Sequence, residues 1–170
     1  MGDCAIPFFA LLIAAAPVTG ASLPLCRPDQ LRLSADSRDG EFTGMSHDGV
    51  ELSIRNRGRD CLLPALPLVE MRDARGRVLQ ARRRPPVGMH PGPVMRPVPL
   101  SAGHRAALTL RWVSGAVYDH SRHVNAARVT VRIGTGQIGT PLDATLYGPA
   151  GRPVPFDQSA ARQMEGMPAG

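Results

Sequence analysis

Alternation constrains this chain more than any other feature. Val50, Leu52 and Ile54 are apolar while Glu51, Ser53 and Arg55 are polar, a period of two that sends successive side chains to opposite faces of an extended strand. The pattern recurs at Leu108, Leu110 and Trp112, at Val129, Val131 and Ile133, and at Leu142, Ala144 and Leu146, each set interleaved with polar residues. One dry and one wet face per strand is what antiparallel sheets require. Leu68–Arg72 and Arg77–Gln80 flank Asp73-Ala74-Arg75-Gly76 and predict a hairpin, and a weaker strand covers Gln30–Ser34. About seven such strands, with no amphipathic helical stretch of useful length, predict an all-β chain, an immunoglobulin-like two-sheet antiparallel sandwich. Its expected core is Leu52, Ile54, Leu108, Leu110, Trp112, Val129, Val131 and Leu146.

Two stretches break the pattern. Residues 82–99 hold six prolines, which bring no N–H to a sheet ladder, so a long loop is predicted there and is the first place to look for a site. From 149 to 170 the composition turns to Gly, Pro, Ala and polar residues, which predicts a loosely held tail and a sandwich domain over 22–148.

The first residues set the compartment. An apolar run over 5–18 ends in Thr19-Gly20-Ala21, too short to span a ~30 Å hydrocarbon core and followed by small residues where signal peptidase reads. A cleavable signal peptide over 1–21 is expected, although its leading segment carries Asp3 and no Lys or Arg. The mature protein then starts at Ser22, is exported to a periplasm or released, and keeps no transmembrane span. Losing Asp3 and no base raises the formal charge from +6 to +7. All 20 basic residues are Arg and none is Lys, a bias that reads as GC-rich coding rather than selection for guanidinium contacts. An exported basic domain meets anionic headgroups or surface polysaccharide before it meets nucleic acid.

Cysteine usage agrees with export. Cys4 leaves with the signal, so Cys26 and Cys61 remain as a pair in an oxidising compartment, where a disulfide is the expected outcome. Closing that loop stabilises the fold by about 4 kcal/mol on the chain-entropy estimate. Bulky Leu25 ahead of Cys26 argues against lipidation, and two thiolates are half a zinc site.

Taken in order, Cys26 with Leu31 to Ser34, the strand from Val50 into Asn56-Arg57-Gly58, Cys61-Leu62-Leu63-Pro64-Ala65-Leu66-Pro67, Asp73-Ala74-Arg75-Gly76, and Leu100-Ser101-Ala102-Gly103 before Ala107 to Trp112 form a recognisable set. The set resembles the bacterial exported family filed as domain of unknown function 4232, over about residues 26–147. That resemblance implies a β-sandwich outside the cytoplasm and no activity. Many members are lipoproteins or carry a further cysteine pair; this chain has neither a lipobox nor a second pair, so one bridge carries over.

Several motifs invite catalytic readings that fail physically. Gly134-Thr135-Gly136-Gln137-Ile138-Gly139 matches a dinucleotide fingerprint, yet a strand follows it instead of the helix whose N-terminus would hold a pyrophosphate, so a hairpin turn is expected. Ser46-His47-Asp48 has triad residue types, but consecutive side chains point apart, and a turn before Val50 is the better reading. Methionine and histidine density is a different signal. Met45 and His47 in one loop and Met89, His90 and Met95 in another form a soft-donor set suited to copper(I), with His120, His123, Met164 and Met167 as further donors. Against it stands the common use of Met as a packing filler. Arg82, Arg83 and Arg84 are the candidate contact for an anionic partner. The expected function is therefore a monomeric, non-catalytic, exported envelope domain that binds a protein or an anionic surface polymer through its loops. It needs no cofactor and binds no nucleic acid. The alternative is a periplasmic copper-binding or metal-delivery protein.

Overall fold

Eleven strands form among the described residues, which in this computed structural model are 22–86 and 95–164. In chain order they are β1 (Leu31–Asp36), β2 (His47–Asn56), β3 (Cys61–Leu63), β4 (Leu68–Arg72), β5 (Ala81–Arg84), β6 (Val98–Leu100), β7 (Arg105–Val113), β8 (Ser121–Ile133), β9 (Gly136–Pro149), β10 (Val154–Gln158) and β11 (Arg162–Met164). The helical content of the same residues is two 3-10 turns, Pro28–Gln30 and Arg38–Gly40. The fold is all-β, as alternation predicts, with more strands than the seven expected. Among the described residues no helix is long and apolar enough to cross a membrane. The expected signal peptide lies outside them.

One large sheet runs β1-β2-β7-β9-β8-β4, with β10 and β11 also paired to β7 and β5 paired to β10; β3 and β6 make a small second sheet. Every named pair is antiparallel except β5 with β10. The join between β7 and β9 is a single register pair, Val113 with Tyr147. There the sheet turns over itself, so that β1 packs against β9 although two strands separate them along the ladder. All eight expected core residues are buried between these wings, in one cluster with Leu31, Met71, Val154 and Phe156.

The longest hairpin joins β8 and β9 through Gly134 and Thr135, with Ile133 facing Gly136. Gly134 has φ +57°, which the tight turn requires, and a Cβ on Gly136 would lie 2.7 Å from Pro28 of the first 3-10 turn. The glycine-rich motif is thus turn and packing. The Asp73–Gly76 turn also forms as expected, but its return arm gives an Asp73 N–H to Arg77 bond, an Arg72–Val78 bridge and a Leu79 N–H to Met71 bond before departing into β5.

Two expectations give way. The stretch from 149 is not a loose tail as far as residue 164: β10 lies between β7 and β5, with Val154, Phe156 and Gln158 buried. Prolines hide this strand from a sequence reading, yet pairing with β7 begins at Phe156, one residue past Pro155, so the missing N–H removes no bond from that ladder. Likewise, Arg82–Arg84 is the body of edge strand β5 and not part of a loop. Phe156→Ala is expected to cost about 3–5 kcal/mol in denaturant unfolding, as for a core aromatic. A loosely held tail would show no change.

Candidate functional site

At one end of β2, Cys26 and Cys61 form the expected disulfide, with Cα atoms 4.8 Å apart. Beside it Asn56 is fully buried and spends its whole side-chain capacity. Its Nδ2 donates to the Arg59 carbonyl at 2.8 Å and the Leu100 carbonyl at 2.9 Å, while Oδ1 accepts from the Gly58 N–H at 2.9 Å and Gln30 Nε2 at 3.2 Å. Gln30 Nε2 also lies 2.9 Å from Cys61 Sγ. The Asn-x-Gly element is therefore a structural hub: Asn56 stitches the turn, β6 and the first 3-10 turn together, and a Cβ on Gly58 would strike Gln30 at 2.7 Å.

At the opposite end of β2, Gly44 and His47 exchange backbone bonds of 3.0 and 2.9 Å around a two-residue turn whose central residues, Met45 (φ +47°) and Ser46 (φ +62°), are both left-handed. Non-glycine residues pay on the order of 1–2 kcal/mol each for that conformation. The turn holds Met45 at its tip, 96% exposed, so this methionine is no packing filler. His47 Nδ1 lies 3.0 Å from the Met45 carbonyl, and Asp48 Oδ1 accepts from Thr43 Oγ1 and the Gly49 N–H, an arrangement with no triad in it. The turn falls just before His47, which itself begins β2. Of the remaining soft donors, Met95 is exposed ahead of β6, whose Leu100 is bound to Asn56 at the far end of β2. No hydrogen bond among the described residues joins Met95 to the Met45 turn, and Met89, His90 and Met167 lie outside those residues. His123 sits on β8 against Tyr147 with ring centroids 5.5 Å apart. Met164 receives the Ser53 hydroxyl at 3.8 Å.

The three consecutive arginines are split by strand alternation. Arg83 turns inward and donates to the Pro67 carbonyl at 3.1 Å and to Gln158 Oε1 at 3.4 Å. Arg84 makes a two-pronged pair with Asp157 at 2.8 and 3.0 Å. Arg82 is exposed. On the outer side of β5, Arg82 and Arg84 are joined by Arg152 along an open groove of about 680 Å³ walled by Pro149, Pro153 and Pro155. Arg152 sits in the β9–β10 turn, and its carbonyl is held by Arg122 Nη1, which also reaches Gln80 Oε1. Sequence reading found the cluster without its partner Arg152, which lies far along the chain.

Two ion-paired centres brace the surrounding backbone. Glu51, buried, accepts from Arg38 Nη1 at 3.2 Å and Arg162 Nη2 at 2.7 Å, so it ties both the Arg38–Gly40 turn and β11 to β2. The hydrogen bond to Glu41, then the charges of Glu41 and Glu51, raise the Arg38 guanidinium above its ordinary value. The Asp73 carboxyl is held below its ordinary 3.8, first by the Arg77 N–H and then by the Arg77 side chain and Arg75 N–H, against an opposing effect of burial.

A family model described as "Domain of unknown function (DUF4232)" matches residues 26–162. No curated protein and no solved structure matches the chain.

Replacing Asn56 with Ala takes the side-chain partner from the buried Leu100 carbonyl and the Gly58 N–H, while the Arg59 carbonyl and Gln30 Nε2 keep each other at 3.1 Å, and is expected to cost about 3 kcal/mol, read by denaturant unfolding. Because the folded value of Asp73 is lowered, its contribution is complete at neutral pH and is lost as pH falls through that value, below 3.8. In an NMR titration the Arg75 and Arg77 amides should lose protection only in that acid range; loss already above it would contradict the assignment.

Proposed function

The chain belongs to the family of domain of unknown function 4232, and since that family is named without an activity, we propose a function from the residues themselves. The protein is a non-catalytic domain, exported to the cell envelope, that binds an anionic partner through the surface around β5. We read its fold as an immunoglobulin-like sandwich of two layers, a reading supported by the packing of β1 against β9 across the core. Export is supported by the Cys26–Cys61 bridge and by the apolar run over 5–18.

The observation that carries the binding reading is the arginine and proline groove. Arg82 and Arg152 stand exposed in a groove lined by prolines, and among the described residues β5 pairs on one edge only, with β10. Guanidinium forks suit carboxylate and phosphate oxygens, and prolines offer apolar walls that cost no side-chain entropy when covered. Capture from an envelope extract with the tagged chain is expected to recover an acidic partner that the Arg82→Gln/Arg152→Gln variant does not hold. Equal recovery by both proteins would overturn the reading.

One observation favours copper(I) delivery as a second reading: a strained turn presents the Met45 thioether to solvent with the His47 ring beside it. Titration of the reduced chain with copper(I) against a competing chelator is expected to show uptake weakened by Met45→Leu. Uptake indifferent to that change removes Met45 from any such site.

A further inference from the structure

The outer face of the large sheet carries three arginines in a line. Arg32 on β1 is the register partner of Arg55 on β2, and Arg55 is the register partner of Arg105 on β7. All three are exposed. Directly opposed residues of antiparallel strands share a face with Cβ atoms about 4.5–5.5 Å apart, so the three stems form a row about 10 Å long. Like charges set directly opposite one another destabilise a sheet. Several other arginines are paired with a carboxylate, as Arg84 is with Asp157 and Arg162 with Glu51. Among the described residues no carboxylate lies within ion-pair distance of these three. Arg32 Nη1 reaches only main-chain carbonyls, of Leu31 at 2.9 Å and Asp29 at 3.5 Å.

The neighbouring positions on this face are small or hydroxylic. Two residues along each strand, Ser34 faces Ser53 and Ser53 faces Ala107. Met164 is the register partner of Arg105, with its sulfur near the Ser53 hydroxyl. None of these positions holds an aromatic ring on which a nucleobase would stack, nor an exposed apolar wedge that would enter a lipid layer. The row is held by the backbone ladders on both sides of β2, so its spacing exists before any ligand arrives.

We propose that Arg32, Arg55 and Arg105 form a binding site for a linear anionic polysaccharide carrying a carboxylate on each sugar. Strand separation sets the interval between the three arginine stems at about 4.8 Å, close to the length of one sugar ring, so successive carboxylates can meet successive arginines. Each fork donates two parallel N–H bonds to a carboxylate. Ser34 and Ser53 supply hydroxyls for the sugar's own, and the polymer's charge relieves the repulsion within the row. The site stands apart from the groove at Arg82 and Arg152 and does not depend on it.

The test uses the full chain and labelled oligogalacturonate at low ionic strength, with neutral dextran and polyphosphate as comparison polymers. Arg32→Gln/Arg55→Gln is expected to bind roughly tenfold or more weakly, the loss of charge-assisted bonds. Its thermal midpoint should stay level or rise, because the like-charge row is broken. Arg75→Gln/Arg128→Gln, at two exposed arginines in the Asp73–Gly76 turn and on β8, lowers the net charge equally and is expected to retain full affinity. The proposal is overturned if the first variant binds as the parent does, if both variants lose affinity alike, or if polyphosphate binds as tightly as the polyuronate. A fall in midpoint for Arg32→Gln/Arg55→Gln would also count against it, since these arginines would then be structural.

Discussion

A single buried amide governs this structure. With both oxygen lone pairs and both N–H groups of Asn56 engaged, β2 has one permissible endpoint, and that endpoint fixes its register against the strands on either side. A slip of one residue would turn Leu52 and Ile54 to solvent and Glu51 and Ser53 into the core. The disulfide next to Asn56 works on the same corner from the unfolded side, by limiting how far β3 can stray from the first described residues. The arginine row on β1, β2 and β7 inherits its geometry from that register.

Glu51 plays a complementary part at the middle of the strand. A buried carboxylate is costly unless its oxygens are filled, and here one arginine comes from the Arg38–Gly40 turn and another from β11. The strained connection between β1 and β2 and the last described strand are thereby held to the same atom group. Such an arrangement adds little net energy, because both arginines keep much of their water, but it decides where two otherwise independent segments sit.

Alternation made most of the fold legible. Leu52, Ile54, Leu108, Leu110, Trp112, Val129, Val131 and Leu146 are all buried, because a period of two reports which face of a strand is dry whatever its neighbours are. The same period is silent about which strands are neighbours. Arg32, Arg55 and Arg105 each look like an ordinary solvent-side residue of their own strand, and only pairing across the sheet makes them a row. Proline misled the reading in two places: β10 and β5 were hidden because Pro153, Pro155 and Pro85 signal loops, while the structure accommodates each where no ladder donor is required. The copper set was legible as composition only, and of its five residues only Met45 and His47 meet within the described chain.

The position of β10 sets the order of assembly. Phe156 is register partner to Trp112 on one side and to Arg83 on the other, so the strand that fills the gap between β7 and β5 is among the last to be synthesised. Until β10 is available, neither the β7–β10 nor the β5–β10 ladder can be completed. Contacts of such long sequence separation make closure slow. During that interval β5 offers other chains a template for pairing, and a stretch reading Ala81-Arg82-Arg83-Arg84 is a poor one, since three adjacent positive charges repel a second copy of the same strand. The arginine run thus guards a nascent edge against aggregation before it has any groove to line.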